Sequence, residues 1–99
     1  MTPFRIPDNF SEIEQAALKT ARALAQDAIA QAANLPAGEQ EAAAAAFLAA
    51  KALSQVEQYD QLIPVIGAFL DNPVADFFEK EAVTALCRAF VHELYKEGV

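Results

Sequence analysis

The sequence predicts an all-α protein, a small antiparallel bundle of four helices, or of three helices with the middle one kinked near Pro64. Residues of high helix propensity dominate the composition, which is 55% hydrophobic with alanine runs such as Ala42–Ala46 and only 3 glycines. Its large apolar residues recur at steps of three and four, the spacing of one helix face. The 99 residues suit a single domain over 1–99, in which residues 1–10 are expected to form an extended N-terminal arm.

The most regular pattern lies in the last predicted helix, over Asn72–Gly98. Asn72 is a favourable N-cap residue, Pro73 suits the first helical position, and Gly98 suits the position just past the end. This helix has the bulkiest apolar face in the chain, and we expect the other helices to cover it. The residues of this face are Val83, Leu86, Cys87, Phe90, Val91 and Leu94.

The first predicted helix starts at Ser11. Ser11 and Glu14 have the spacing of a capping box, in which each side chain bonds the backbone N–H of the other residue. The helix is expected to end near Asn34, with residues 35–38 as the turn that follows. The predicted core face consists of Ile13, Ala17, Leu18, Ala21, Leu24, Ala25, Ala28, Ile29 and Ala32.

A second helix is predicted from about Glu39 to Gln58, with apolar residues on two faces. Small alanines on both faces let two neighbours approach at once, so we predict that this helix is the most central. Asp60 is a candidate cap for a short third helix over Gln61–Asp71, unless the second and third helices form one element kinked at Pro64. One face contains Leu48, Ala52, Val56 and Tyr59, and the other contains Ala46, Phe47, Ala50 and Leu53.

Charge and cysteine content exclude several classes of function. The net charge of −7 argues against binding to nucleic acid or to an anionic membrane surface, both of which require positive charge. A single cysteine, Cys87, excludes an intramolecular disulfide and is expected to be a small buried hydrophobe.

The N-terminus lacks a signal-peptide pattern, and the longest apolar run, Ala42–Ala50, is too short to insert into a membrane. We therefore expect a cytoplasmic protein.

No catalytic, cofactor-binding or metal-binding set is predicted. The only histidine, His92, begins the segment His92–Gly98, which resembles the motif of histidine phosphotransfer domains, although Lys and Gly follow the His at closer spacing in that family. The resemblance implies a phosphotransfer bundle with His92 as phosphoryl acceptor. Separately, residues 6–10 followed by an Ala/Leu-rich helix are similar to the start of phasins, which coat polyester granules. No function is transferred from this N-terminal resemblance, and an amphipathic-helix surface-coating protein is kept as a further alternative.

The favoured prediction is a non-enzymatic protein that acts through protein–protein interaction, with another protein or with itself. The predicted interaction surface is centred on Phe47, a large ring that projects among the polar side chains of Lys51, Ser54 and Gln58. Two arrangements remain open from the sequence. Either the N-terminal arm or the third helix of the same chain covers Phe47, or a second subunit or another partner does.

Overall fold

A computed structural model describes residues 5–72 and 79–97 and confirms the all-α prediction. Within these ranges there are four helices and no strand. They are α1 (Glu12–Ala32), α2 (Ala37–Ser54), α3 (Leu62–Phe69) and α4 (Lys80–Lys96). Residues 55–61 form turns between α2 and α3, so these are two separate helices and not one kinked element. Pro64 is the third residue of α3, where a backbone N–H has no partner within the helix.

The core lies between α4 and the inner sides of the other helices. All six residues predicted for the core face of α4 are buried, including Phe90, Val91 and Leu94 with no exposed surface. The α2 helix packs mainly against α1 and α4, whereas α1 and α4 each pack against all three other helices, so α2 is not the most central helix that the sequence predicted. Phe10 from the N-terminal arm is also buried, and Ile6 packs against the core. The chain therefore packs the apolar arm residues Ile6 and Phe10 against its own core, while Arg5, Asp8 and Asn9 are exposed.

The start of α1 follows the predicted capping box. The Glu14 N–H donates to Ser11 Oγ at 3.1 Å, and the Ser11 N–H donates to Glu14 Oε1 at 2.9 Å. The prediction that Ile13 faces the core is wrong, because 64% of this residue is exposed. Ile13 lies roughly a quarter-turn or more around α1 from the buried row that contains Leu18, Ala21 and Ala25.

The predicted bounds of α2 and α3 need correction. Residues 37 and 38 are the first two residues of α2 and not part of a turn. At the other end Gln55 leaves helical geometry, with φ −131° and ψ 48°, so α2 stops at Ser54 and not at Gln58. Val56 and Tyr59 consequently lie beyond α2. Asp60 does not cap α3, which starts at Leu62 after Gln61 without a side-chain cap.

The predicted start of the last helix is also wrong. Glu79 is extended, with φ −70° and ψ 124°, and α4 starts one residue later at Lys80. The helix is therefore not continuous from Pro73. The predicted role of Pro73 at the first helical position and that of Gly98 past the end both lie outside the described residues.

Candidate functional site

The outer side of α2 is apolar and exposed. Ala42, Ala46, Phe47 and Ala50 are all exposed, and no charged residue occurs between Glu41 and Lys51. The Phe47 side chain stands out from this small-residue surface, and 41% of the residue is exposed. Neither the described part of the N-terminal arm nor α3 covers Phe47 completely, since this fraction stays exposed. The inner side of α2 is equally apolar and is buried through Ala44, Ala45, Leu48, Ala49 and Ala52.

Phe47 lines a groove of about 450 Å³ between α1 and α2. The α1 wall consists of Leu24, Asp27, Ala28 and Gln31, and the α2 wall consists of Phe47, Leu48, Ala50, Lys51 and Ser54. Three residues of the predicted surface, Phe47, Lys51 and Ser54, thus come together here. We call this set the α1–α2 groove.

The fourth predicted residue, Gln58, lies outside the α1–α2 groove. It belongs to the turns after α2, where it lines one depression with Ser54 and a second depression with Ile13, Thr20 and Tyr59. Because Ser54 and Gln58 are each shared between neighbouring depressions, the three depressions adjoin one another around the end of α2. The α1 residues that line these depressions were not predicted from the sequence to belong to an interaction surface.

The α1–α2 groove has one charge of each sign. Asp27 stands on the α1 wall, where its Oδ2 accepts a hydrogen bond from Gln31 Nε2 at 3.1 Å. Lys51 stands on the α2 wall. Neither Asp27 nor Lys51 forms an ion pair with any residue in the described ranges. Both charges are therefore available to a molecule that enters the groove.

His92 lies on a different part of the surface. Its Nδ1 is 2.9 Å from Glu41 Oε1, and 58% of the His92 side chain is exposed. A carboxylate at one ring nitrogen orients an imidazole and leaves the other nitrogen, Nε2, to react or bind. His92 could be identified from the sequence but Glu41 could not, because the two residues are far apart in sequence and meet only when α2 packs on α4.

Cys87 is buried, as predicted. Desolvation by this burial raises the pKa of the thiol from 9.0 to about 12, so the nucleophilic thiolate is scarce at neutral pH. Among the described residues, no group of three or more His, Cys, Asp or Glu side chains is placed to hold a metal ion. None of the described helices has the length and apolar character needed to cross a membrane.

Comparison with known proteins adds no relative. No protein family model, no curated protein and no solved structure matches this chain. No activity or partner is therefore carried over from another protein.

Proposed function

We propose that this chain is a non-enzymatic interaction protein and that the α1–α2 groove, with the outer side of α2, binds another protein chain. One observation supports this proposal: α2 is apolar on both its inner and its outer side, but only the inner side is buried by the rest of the chain. A helix that is apolar all round is normally buried on all sides. An exposed apolar helix side in a chain of this size is typical of a contact surface.

The shape of the outer side of α2 also suits a helical partner. The exposed alanines at positions 42, 46 and 50 leave the α2 backbone accessible to close approach. Phe47 supplies a single large ring beside them, and aromatic residues commonly contribute most of the binding energy at protein interfaces. We therefore expect Phe47 to be the anchor of the contact.

The substitution Phe47→Glu tests this proposal, with Ala89→Glu as the matched control. Ala89 is exposed on α4, away from the α1–α2 groove, and its substitution adds the same charge. Phe47→Glu should abolish association, measured as solution mass or binding, while the melting temperature of the isolated chain stays near that of Ala89→Glu. If the protein is a monomer and Phe47→Glu lowers its melting temperature, then the Phe47 ring packs within its own chain instead.

A photo-crosslinking residue at position 47, compared with position 89, tests the same surface in the cell. Position 47 should give an adduct of defined mass, and mass spectrometry identifies the protein attached, including a second copy of this chain. Position 89 should give none. Equal or absent crosslinking at the two positions would overturn the proposed surface.

Phosphoryl transfer through His92 is a second candidate function, which the Glu41 contact favours. Glu41 next to Nδ1 orients the ring and would stabilise positive charge on it while Nε2 accepts a phosphoryl group. Phosphoramidate should then transfer its phosphoryl group to Nε2 with release of ammonia and give acid-labile phosphohistidine. His92→Gln should abolish this product, and Glu41→Gln should slow its formation. If phosphohistidine formed at the same rate in the wild type and in Glu41→Gln, the Glu41 contact would no longer support this candidate function.

A further inference from the structure

The charges of the α1–α2 groove indicate which partner it fits. We propose that the occupant is a second copy of this chain, docked about a two-fold axis that runs parallel to α1 and α2. This inference rests on the proposed interaction function and specifies the partner for the same surface. A two-fold contact uses one patch twice, so the patch must be complementary to itself.

The charge balance of the groove differs from that of the whole chain. The chain has a net charge of −7, whereas the lining of the groove contains one acidic residue, Asp27, and one basic residue, Lys51. A strongly basic partner would gain little from this electrically balanced surface. For two copies of an acidic chain, in contrast, a balanced patch is where mutual repulsion is least.

The positions of Asp27 and Lys51 on opposite walls select the direction of the axis. With the axis parallel to the helices, α1 of one copy lies over α2 of the other. Asp27 then faces Lys51 of the second copy, and the same pair forms a second time by symmetry. A two-fold axis perpendicular to the helices would instead place α1 over α1 of the second copy and α2 over α2 of the second copy. Asp27 would then lie near Asp27 of the second copy, and Lys51 near Lys51 of the second copy. Like charges placed together disfavour that arrangement.

The apolar part of the groove supports the same arrangement. When α1 of one copy lies over α2 of the other, the α1 wall of the second copy covers Phe47. The exposed Ala50 beside Phe47 allows the two helix pairs to approach closely. The operation that pairs Asp27 with Lys51 therefore also removes Phe47 from water.

Charge reversal tests the proposal. Asp27→Lys leaves two lysines facing each other across the interface, and Lys51→Asp leaves two aspartates. We expect each variant alone to lose self-association by roughly tenfold or more relative to the wild type. An equimolar mixture of the two variants should associate again, because an acidic side chain then faces a basic one at both contacts between positions 27 and 51. The double variant Asp27→Lys with Lys51→Asp should also self-associate.

The matched controls are Glu81→Lys and Lys80→Asp, which make the same changes in net charge on the exposed start of α4. Sedimentation velocity over a range of concentrations measures association, and circular dichroism checks that each variant is folded. The controls and their mixture should associate like the wild type. A wild type that stays monomeric, or a mixture of groove variants that fails to pair, would overturn the two-fold contact.

The outcome also separates this inference from the proposed function. A monomeric wild type that crosslinks through position 47 to a different protein would reject the second copy as partner and keep the interaction surface. A monomeric wild type with no specific crosslink at position 47 would reject both.

Discussion

The Nδ1 atom of His92 lies 2.9 Å from Oε1 of Glu41 and links the exposed side of α4 to the second turn of α2. Both side chains are well exposed, at 58% and 37%. A contact between two side chains in such a solvated position contributes little to stability, typically about 0–1 kcal/mol. The contact orients His92 without being needed for the fold.

We therefore expect His92→Ala to change the free energy of unfolding by no more than about 0.5–1 kcal/mol. Denaturant unfolding followed by circular dichroism measures this change, and Glu41→Ala should have an effect of similar size. A loss of several kcal/mol from either variant would mean that the pair is a structural contact.

The core face of α4 should behave in the opposite way. Leu86 and Phe90 are buried, and the Phe90 ring packs edge-on against Phe69 with 5.9 Å between the ring centroids. Leu86→Ala and Phe90→Ala should each lower the free energy of unfolding by about 2–5 kcal/mol, because each leaves a cavity. The same denaturant experiment compares them with His92→Ala. If His92→Ala were the more destabilising change, the inward face of α4 would be wrongly assigned.

The buried thiol of Cys87 predicts a dependence of stability on alkaline pH. Burial raises its pKa to about 12, whereas the exposed thiol of the unfolded chain ionises near 9.0. The unfolded state therefore loses this proton first, and the stabilising contribution, complete below about pH 9, declines as pH rises toward 12. Unfolding curves at several alkaline pH values should show a steeper loss for wild type than for Cys87→Ala.

Labelling provides an independent measurement of the same burial. A thiol reagent should modify Cys87 slowly in the native protein and rapidly after unfolding. Fast native labelling, or equal pH slopes for wild type and Cys87→Ala, would show that the thiol is accessible.

The hydroxyl of Tyr95 is buried and has no hydrogen-bond partner among the described residues. A buried polar group without a partner costs about 1–3 kcal/mol, and replacing it with an apolar group of the same shape removes this cost. Tyr95→Phe should therefore raise the melting temperature. Tyr59→Phe is the control and should have a smaller effect, since Tyr59 has no such buried unpaired oxygen. A destabilised Tyr95→Phe protein would reveal a hydrogen bond to this hydroxyl.

The end of α3 contains a residue in an unfavourable backbone conformation. Asp71 has φ 56°, and the chain closes the helix with hydrogen bonds from Asp71 N–H to Ala68 O and from Asn72 N–H to Gly67 O, at 3.2 and 2.8 Å. This is the Schellman motif, whose left-handed position favours glycine. The Asp71 carboxylate also lies at the negative end of the helix dipole.

Asp71→Gly should consequently stabilise the protein by about 0.5–1 kcal/mol, and Asp71→Ala should not. Asp71→Asn removes the charge while keeping a side chain that tolerates this conformation, so it isolates the dipole contribution. Thermal unfolding measures all three. A destabilised Asp71→Gly protein would show that the carboxylate makes a contact that outweighs the backbone strain.

The fold could be predicted from the sequence where large apolar side chains determine which side of a helix faces inward. On α4 the spacing of Val83, Leu86, Phe90 and Leu94 allows only one inward face, and the structure buries all of them. The end of α2 could not be located in the same way, because the residues from Gln55 to Gln61 contain neither glycine nor proline. There the chain leaves the helix without a local sequence signal.

The candidate site could be predicted only for residues on one helix. Helical projection places Phe47 and Lys51 close together, with Ser54 on the same side. Asp27 and Leu24, which form the other wall of the groove, are adjacent to them only because α1 packs beside α2. The buried side of α1 could be read from the sequence, but the side of α2 that packs against it could not, because α2 has alanines on both sides.

The scarcity of large side chains inside α2 has a consequence for how this protein reaches its native state. Leu48 is the only large side chain among the buried residues of α2, and its chain neighbour Phe47 points outward. A rotation of α2 by one residue would place Phe47 in the position of Leu48, but it would also place Lys51 in the fully buried position of Ala52. Burying a lysine ammonium without a partner is costly, so Lys51 disfavours the rotated packing and helps to select the native one during folding.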